Sequence, residues 1–184
     1  MMVQSLPKYL HYEPIYKYYI SYIFYLMNYY CTMDRIDKRI ISLLQEDAGM
    51  PAREIAEKVN LTPTPCWRRI QRLENDGVIT GRVALINPED VNLSVSALVQ
   101  IRTNRHSGDW MERFTQALEK FPEIIEAYRT SGEVDYMLRV VVPDMEAYDT
   151  FYKRLIEEVD LYDVSTNFVM EEMKKTTALP LNYC

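Results

Sequence analysis

The chain has 184 residues, 48% of them apolar and 26% charged, which is typical of one medium or two small globular domains with real cores. The net charge is −6, but it is unevenly distributed: residues 87–184 carry eighteen acidic and ten basic side chains, whereas the residues before them carry a small excess of basic ones. This asymmetry predicts two domains with different partners. Three widely separated cysteines and two histidines argue against a disulfide framework, a zinc site and a histidine-based catalytic site, and they favour a reducing cytoplasm.

Residues 1–32 differ in composition from the rest of the chain, because nine of the fifteen tyrosines fall there. Their apolar stretch, 18–30, is shorter than the roughly 20 residues that a membrane-spanning helix needs, and it lacks the cleavage site of a secretory signal. Three interpretations stay open: a wrongly assigned start with initiation at Met33, an accessory helix, or a membrane-surface anchor. We assign this atypical Tyr-rich extension no function and expect no membrane partner for the remainder.

Three helices are predicted next. Apolar residues at three-to-four-residue spacing predict an amphipathic helix over Asp34–Gln45, and Gly49 breaks it. A short second helix over Ala52–Val59 is followed by Asn60, which tolerates the positive φ of a tight turn. Thr62 is then a candidate N-cap, with proline at the first helical position, for a third helix that runs to about Asp76.

The third helix has two different faces. We predict that Trp67, Ile70 and Leu73 face inward, and that the polar side chains of this helix and its start face outward. A helix fits the major groove of double-stranded DNA, where arginine can bind guanine or phosphate. The predicted DNA-binding residues, in a helix-turn-helix from about Ala52 to Gln71, are Thr62, Thr64, Arg68, Arg69, Gln71 and Arg72. In the alternative, the arginines belong to a solvated face and pair with Glu74 and Asp76.

The β-rich stretch Val78–Ile86 predicts a strand or wing, and Asn87–Asp90 a hinge. Beyond the hinge, periodicity and caps predict six elements. They are a strand at Ser96–Arg102, a helix at Gly108–Lys120, strands at Ile124–Thr130 and Tyr136–Val142, a helix from Asp144 to about Glu158, and a strand at Val164–Met173. The order β-α-β-β-α-β is ferredoxin-like, an antiparallel sheet with both helices on one face. A second copy is the expected cover for the other face, which predicts a homodimer.

Three segments resemble the Lrp/AsnC family of feast/famine regulators: MDRIDKRIISLLQED at 33–47, LTPTPCWRRIQRLENDGVI at 61–79 and SGEVDYMLRVVVPDMEAY at 131–148. The segments TPCWRRIQRLE, HSGDW and KKTTALP are most similar to the DecR-type, cysteine-responsive subgroup. The resemblance implies an α+β fold with a winged helix-turn-helix, 33–94 with its linker, before a βαββαβ ligand-sensing (RAM/AsnC-type) domain, 95–184. It also implies transcription regulation, homodimers that assemble into tetramers or octamers, and a small amino-acid effector such as cysteine.

In the family the effector lies between dimers, near the turn that matches Ser131–Asp135. The resemblance makes Gly132 the position of close backbone approach and Asp135 the partner of the effector's amino group. Other expected walls or neighbours are Thr130, Ser131, Glu133, Val134 and Tyr136. In the alternative, Gly132 only makes a hairpin turn and Asp135 accepts hydrogen bonds from local backbone N–H groups. Glu133 and Val134 replace an Asp and an aromatic residue common in relatives, which leaves the effector open.

Two other function classes stay open. Siroheme decarboxylases share this two-domain architecture, but such an enzyme needs a basic, histidine-containing cleft, and His106 is the only histidine after residue 32. A ligand-binding module without DNA binding is the second, and the arginine-bearing helix argues against it. Cys66 is a redox sensor or, as the flanking apolar residues favour, a small packing residue. We expect no catalytic residue, metal ion or cofactor.

Overall fold

The structure is a computed structural model that describes residues 33–105 and 107–183. Within them the chain forms two compact units. The first contains the described residues up to Val83 and those from Thr176 onward, and the second contains Ala84–Lys175. The Tyr-rich extension and His106 lie outside the described residues. No helix in the described ranges is long and apolar enough to cross a membrane.

Three helices build the first unit: α1 (Arg35–Glu46), α2 (Ala52–Lys58) and α3 (Pro63–Asn75). A capping box begins α1, since the Asp34 side chain accepts hydrogen bonds from the N–H groups of Ile36 and Asp37 and the Asp37 side chain accepts one from the N–H of Asp34. The apolar faces of the helices form one core, as their periodicity predicts. Its most deeply buried members are Ile40, Ile55, Ala56, Cys66 and Leu73.

The turn between α2 and α3 has the predicted geometry. Asn60 has a φ of 56°, and the N–H of Leu61 donates to the carbonyl of Ala56 at 2.9 Å. Thr62 is the N-cap of α3 by its backbone, although its side chain makes no capping hydrogen bond, and Pro63 is the first helical residue. The predicted helix-turn-helix is therefore confirmed.

The prediction that Trp67 faces inward is wrong, because 54% of its surface is exposed. The buried stripe of α3 is Cys66, Ile70 and Leu73, at spacings of four and three residues. Neighbouring helical residues differ by roughly 100° around the axis, so burial of Cys66 turns Trp67 outward. Cys66 is fully buried, which supports its packing role, and this burial raises the pKa of its thiol.

The prediction of a strand within Val78–Ile86 is also wrong. These residues form no strand, and Val83, Leu85 and Ile86 are exposed. A strand needs a neighbour to satisfy its backbone N–H and C=O groups, and none pairs with this segment in the described part of the chain. At the predicted hinge, Pro88–Val91 forms a short 3₁₀ helix after the N-cap Asn87.

The second unit contains β1 (Val95–Arg102), α4 (Gly108–Lys120), β2 (Ile124–Arg129), β3 (Tyr136–Val142), α5 (Met145–Glu158) and β4 (Asp163–Phe168). Its strands form one antiparallel sheet in the order β2-β3-β1-β4. The predicted ferredoxin-like βαββαβ arrangement is therefore confirmed. The last strand ends at Phe168, earlier than its predicted end at Met173.

The helices cover one face of this sheet. Ser107 and Asp144 cap α4 and α5 as predicted, each accepting a hydrogen bond from an N–H of the first turn. The shared core contains Val99, Ile101, Leu138 and Val140 from the sheet with Trp110, Phe114, Phe151 and Leu155 from the helices. Alternation along the strands places Leu98, Gln100, Met137 and Arg139 on the opposite face, where they are half-buried.

The C-terminal tail belongs to the helical unit, whereas the sequence-based boundary places it with the sheet. The Gln45 side-chain amide donates to the carbonyl of Leu179 at 3.2 Å and accepts from its N–H at 2.6 Å. Leu181 packs against the core of the helices. The chain therefore enters the helical unit twice, once at its start and once after β4.

Candidate nucleic-acid interface and effector loop

The N-terminal half of α3 presents a surface with few internal partners. Thr62, Thr64, Trp67 and Arg68 are exposed, as is the proline between the two threonines. Among the described residues, Arg68 has no hydrogen-bond or ion-pair partner. This surface therefore offers one unpaired guanidinium group, two hydroxyl groups and an indole ring to solvent.

Arg69 and Arg72 are in a different environment, because both contact carboxylates of α1. Nη1 of Arg69 lies 2.8 Å from Oδ1 of Asp37 and 2.6 Å from Oδ2 of Asp34, and Nη2 of Arg72 lies 2.5 Å from Oδ2 of Asp37. Only 1% of the Asp37 side chain is exposed, against 27% for Arg69 and 48% for Arg72. We call Asp34, Asp37, Arg69 and Arg72 the α1–α3 ion-pair cluster.

The charges of the cluster alter its titration. Hydrogen bonds to Asp37 and then to Asp34 raise the pKa of Arg69 above its usual value. The pKa of the Asp34 carboxyl is lowered, first by the backbone hydrogen bond from Asp37 and next by the side-chain hydrogen bond from Arg69. Asp34 and Arg69 are therefore both charged at neutral pH.

The arginines thus have partners other than those considered from the sequence. Glu74 accepts a hydrogen bond from Nε2 of Gln71 at 2.7 Å and one from Arg82 at 2.8 Å, while the arginines of α3 pair with α1. The sequence contained a signal for this. Asp37 lies on the apolar stripe of α1, between Met33 and Ile40 or Ile41, and a carboxylate on a buried face requires a cation.

The predicted effector loop, Thr130–Tyr136, connects β2 to β3. Gly132 has a φ of +133°, which strains any residue with a Cβ. Hydrogen bonds close the base of the loop: Thr130 donates from its N–H to the carbonyl of Asp135 at 2.9 Å and from Oγ1 to the carbonyl of Val134. Ser131, Gly132 and Glu133 are exposed at the tip, and Glu133 lies 3.7 Å from Arg102.

Asp135 anchors this loop to β1. Its Oδ2 accepts a hydrogen bond from the N–H of Thr103 at 2.8 Å, and its own N–H donates to the carbonyl of Ile101 at 3.0 Å. Its Oδ1 makes no hydrogen bond with the described residues. Tyr136 points away from the loop tip: it is 6% exposed, and its hydroxyl contacts Sδ of Met111. The residues that the loop presents to solvent are therefore Ser131, Gly132 and Glu133.

Two known sequence families match successive parts of the chain. Residues 33–80 match the family described as winged helix-turn-helix DNA-binding, and residues 96–179 match the Lrp/AsnC ligand binding domain. The chain is 47% identical over 150 residues to the DNA-binding transcriptional activator DecR of Escherichia coli strain K12. The matched region covers 81% of this chain and 99% of that protein.

Two solved structures are similar over nearly their whole length. The crystal structure of an AsnC family transcriptional regulator from Agrobacterium tumefaciens has a TM-score of 0.79 at 54% identity, covering 82% of this chain and 99% of that one. A transcriptional regulator from Neisseria meningitidis, solved as a complex with L-Met, has a TM-score of 0.79 at 36% identity, covering 83% and 99%.

Proposed function

The chain belongs to the Lrp/AsnC family, and we propose that it is a DNA-binding transcriptional regulator in which α3 enters the major groove and an amino acid bound to the sheet unit changes the DNA binding. A winged helix-turn-helix and a ligand-binding domain in one chain support this proposal. The observation that carries it is the exposed, internally unpaired surface at the start of α3, centred on Arg68.

The polar residues of α3 divide into two roles. Arg68 is the base-contacting arginine, with Thr62 and Thr64 beside it for phosphate or base contacts. Asp37 holds Arg69 and Arg72, so these two arginines fix the orientation of α3 on α1. Their remaining N–H groups stay available for phosphate, since a guanidinium has five donors and the cluster leaves both side chains partly exposed. Gln71 donates a hydrogen bond to Glu74, and it contributes to the DNA-binding surface through that contact.

DNA binding is tested by replacing Arg68 with alanine and footprinting the region upstream of the chain's own gene. Loss of one bidentate contact to a base lowers discrimination by about 1–3 kcal/mol, or roughly 5- to 150-fold. Arg113→Ala is the control, because it removes an exposed cation from α4 of the other unit. Arg68→Ala is expected to lose the footprint with an unchanged oligomer size. Equal affinities for the two variants would contradict the proposal.

The effector proposal concerns the loop between β2 and β3. The backbone N–H groups of Ser131, Gly132 and Glu133 suit the carboxylate of an amino acid, and Oδ1 of Asp135 suits its ammonium group. The relative from Neisseria meningitidis was solved with L-Met, which supports an amino-acid effector here. We further propose that the effector binds between homodimers, which assemble into tetramers or octamers. Cysteine is the first effector to test.

Asp135→Asn tests this site with little disturbance of the loop. The amide oxygen can still accept the hydrogen bond from Thr103, while the charge opposite the ammonium group is removed. The amino acids are titrated in a thermal-shift assay, cysteine first. The effector is expected to raise the melting temperature of the wild-type protein and not that of the variant. The footprint of the variant is expected to persist and to become insensitive to the effector. An effector response equal to that of the wild type would exclude Asp135 from the site.

We also propose a cytoplasmic location and no enzymatic activity. The family membership supports a regulator, and a buried free thiol at Cys66 suits a reducing compartment. The histidine that a siroheme-decarboxylase-like reaction would use, His106, lies outside the described residues. A spectral change on addition of a tetrapyrrole would contradict this part of the proposal.

A further inference from the structure

A groove with a volume of about 640 Å³ lies on the helical unit, and Arg68 is not among the residues that line it. Its cations come from two helices: Arg35, Lys38 and Arg39 from α1, and Lys58 from the end of α2. Of the described residues that line it, none is acidic. We call it the α1–α2 basic groove.

Resting on the function proposed above, we propose that the α1–α2 basic groove binds the phosphate backbone of the DNA duplex beside the major groove that α3 enters. The position supports this, because Val59 and Asn60 also line the groove. These two residues form the turn that leads directly into Thr62 and α3. A duplex that receives the start of α3 therefore comes next to the mouth of the groove.

The two arginines of the groove have no carboxylate partner in the described part of the chain. Arg35 and Arg39 are exposed and make no ion pair with any described residue, whereas Lys58 lies 3.4 Å from Glu54. On a helix, residues four apart have Cβ atoms about 5–6 Å apart, so the two guanidinium groups can contact one phosphate or two successive ones. Arginine binds phosphate bidentately, as it does carboxylate.

The arrangement is unfavourable for α1 without a ligand. Arg35 is the first residue of the helix, where the helix dipole disfavours a cation, and Arg39 is a like charge one turn later. The capping box at Asp34 and Asp37 offsets part of this. An anion in the groove removes both repulsions at once, which is the second reason to assign it a phosphate ligand.

The test is the salt dependence of DNA binding by an Arg35→Gln/Arg39→Gln variant. Glutamine keeps the helix propensity and a polar side chain while it removes the charge. The probes are two DNA duplexes of equal length. One has the sequence of the footprinted region, and the other has an unrelated sequence. Each lost phosphate contact is expected to lower the slope of log K against log[salt] by about 0.9. The affinity is expected to fall by the same factor for both duplexes, so that the specificity ratio stays unchanged.

Two matched variants complete the experiment. Arg113→Gln/Lys174→Gln removes the same charge from the second unit and is expected to keep the wild-type slope. Arg35→Lys/Arg39→Lys restores the charges and is expected to recover most of the slope, which a fold defect would not do. In contrast, Arg68→Ala is expected to lower the specificity ratio.

Three results would overturn the inference. The first is a glutamine variant whose log K falls with log[salt] as steeply as that of the wild type. The second is a loss of affinity confined to the footprinted duplex. The third is a glutamine variant that binds DNA like the wild type but is no longer stabilised against heat by inorganic phosphate. The last result would assign the groove to a free anion. Failure of the wild-type protein to bind either duplex would instead refute the proposed function itself.

Discussion

The contact between Asp37 and the two arginines gives the sharpest prediction on stability. In an Asp37→Asn variant the buried side chain keeps its shape and loses the charge that faces Arg69 and Arg72. Breaking a fully buried ion pair costs about 3–5 kcal/mol. The cost here is lower, because Arg72 is half-exposed and Arg69 keeps its contact with Asp34. We expect the helical unit to lose about 2–3 kcal/mol of unfolding free energy.

For a unit of this size, each kcal/mol corresponds to roughly 4–8 °C in Tm, so the expected decrease is about 10 °C or more. The assay is peptide-resolved hydrogen exchange, because it separates α1 and α3 from the sheet unit. Amides of Ile40 and Ile70 are expected to exchange faster in the variant. Amides of Val99 and Val140, in the core of the sheet, are expected to stay unchanged and report that the loss is local.

Glu57→Gln is the matched control. It removes a carboxylate from the same unit, where Glu57 pairs with Arg53 at 3.6 Å and both side chains are more than two-thirds exposed. An exposed pair of this kind contributes at most about 1 kcal/mol. If Asp37→Asn destabilises the helices no more than Glu57→Gln does, the α1–α3 ion-pair cluster does not hold α3, and the division of roles among its arginines is refuted.

Three further predictions follow from the described contacts. The pKa of Asp34 is lowered below its ordinary 3.8 by the backbone hydrogen bond from Asp37, so the unfolded chain binds more protons in acid, and stability of the helices is expected to fall as the pH drops below that value. Burial raises the pKa of Cys66, so iodoacetamide at neutral pH is expected to modify it slowly until denaturant is added. Gln45→Ala removes both hydrogen bonds to Leu179 and is expected to cost about 1 kcal/mol.

Each of these has its own check. Acid denaturation of Asp34→Asn should lose part of the pH dependence, and an identical profile would remove Asp34 as its source. Peptide mapping separates Cys66 from the other two cysteines, and rapid native labelling of Cys66 would contradict its burial. Limited proteolysis after residue 175 reports release of the tail in Gln45→Ala, and wild-type resistance there would show that Leu181 alone holds it.

Local sequence patterns were sufficient for most of the fold. Periodicity placed the helices and the core strands within a few residues of their observed ends, and residues such as Asn60, Ser107 and Asp144 marked turns and caps correctly. These features depend on backbone geometry over three or four residues, so the local sequence is sufficient to predict them. The strand within Val78–Ile86 failed because strand formation depends on a partner elsewhere in the chain.

The errors at the site have one physical origin. The orientation of α3 is set by which of its faces the other helices bury, and a helix with Cys66, Trp67 and Ile70 offers two overlapping apolar stripes. Because Trp67 has the larger side chain, the stripe that contains it was predicted to be buried, whereas the structure buries the stripe that contains Cys66. Pairing of Arg69 and Arg72 with Asp37 is a contact between residues more than thirty apart, and periodicity within α3 contains no information on it.

The ion pairs of the helical unit also explain how a region of almost neutral charge can bind DNA. Residues 33–86 carry nine basic and eight acidic side chains, so net charge alone argues against attraction to phosphate. However, five of the eight carboxylates, those of Asp34, Asp37, Glu54, Glu57 and Glu74, pair with cations of the same unit. Among the described residues this leaves Arg35, Arg39 and Arg68 without carboxylate partners. Arg35 and Arg39 line a groove together with Val59 and Asn60 of the turn before α3, and Arg68 lies in α3 itself. The charge available to a duplex therefore depends on where these cations lie and little on the total.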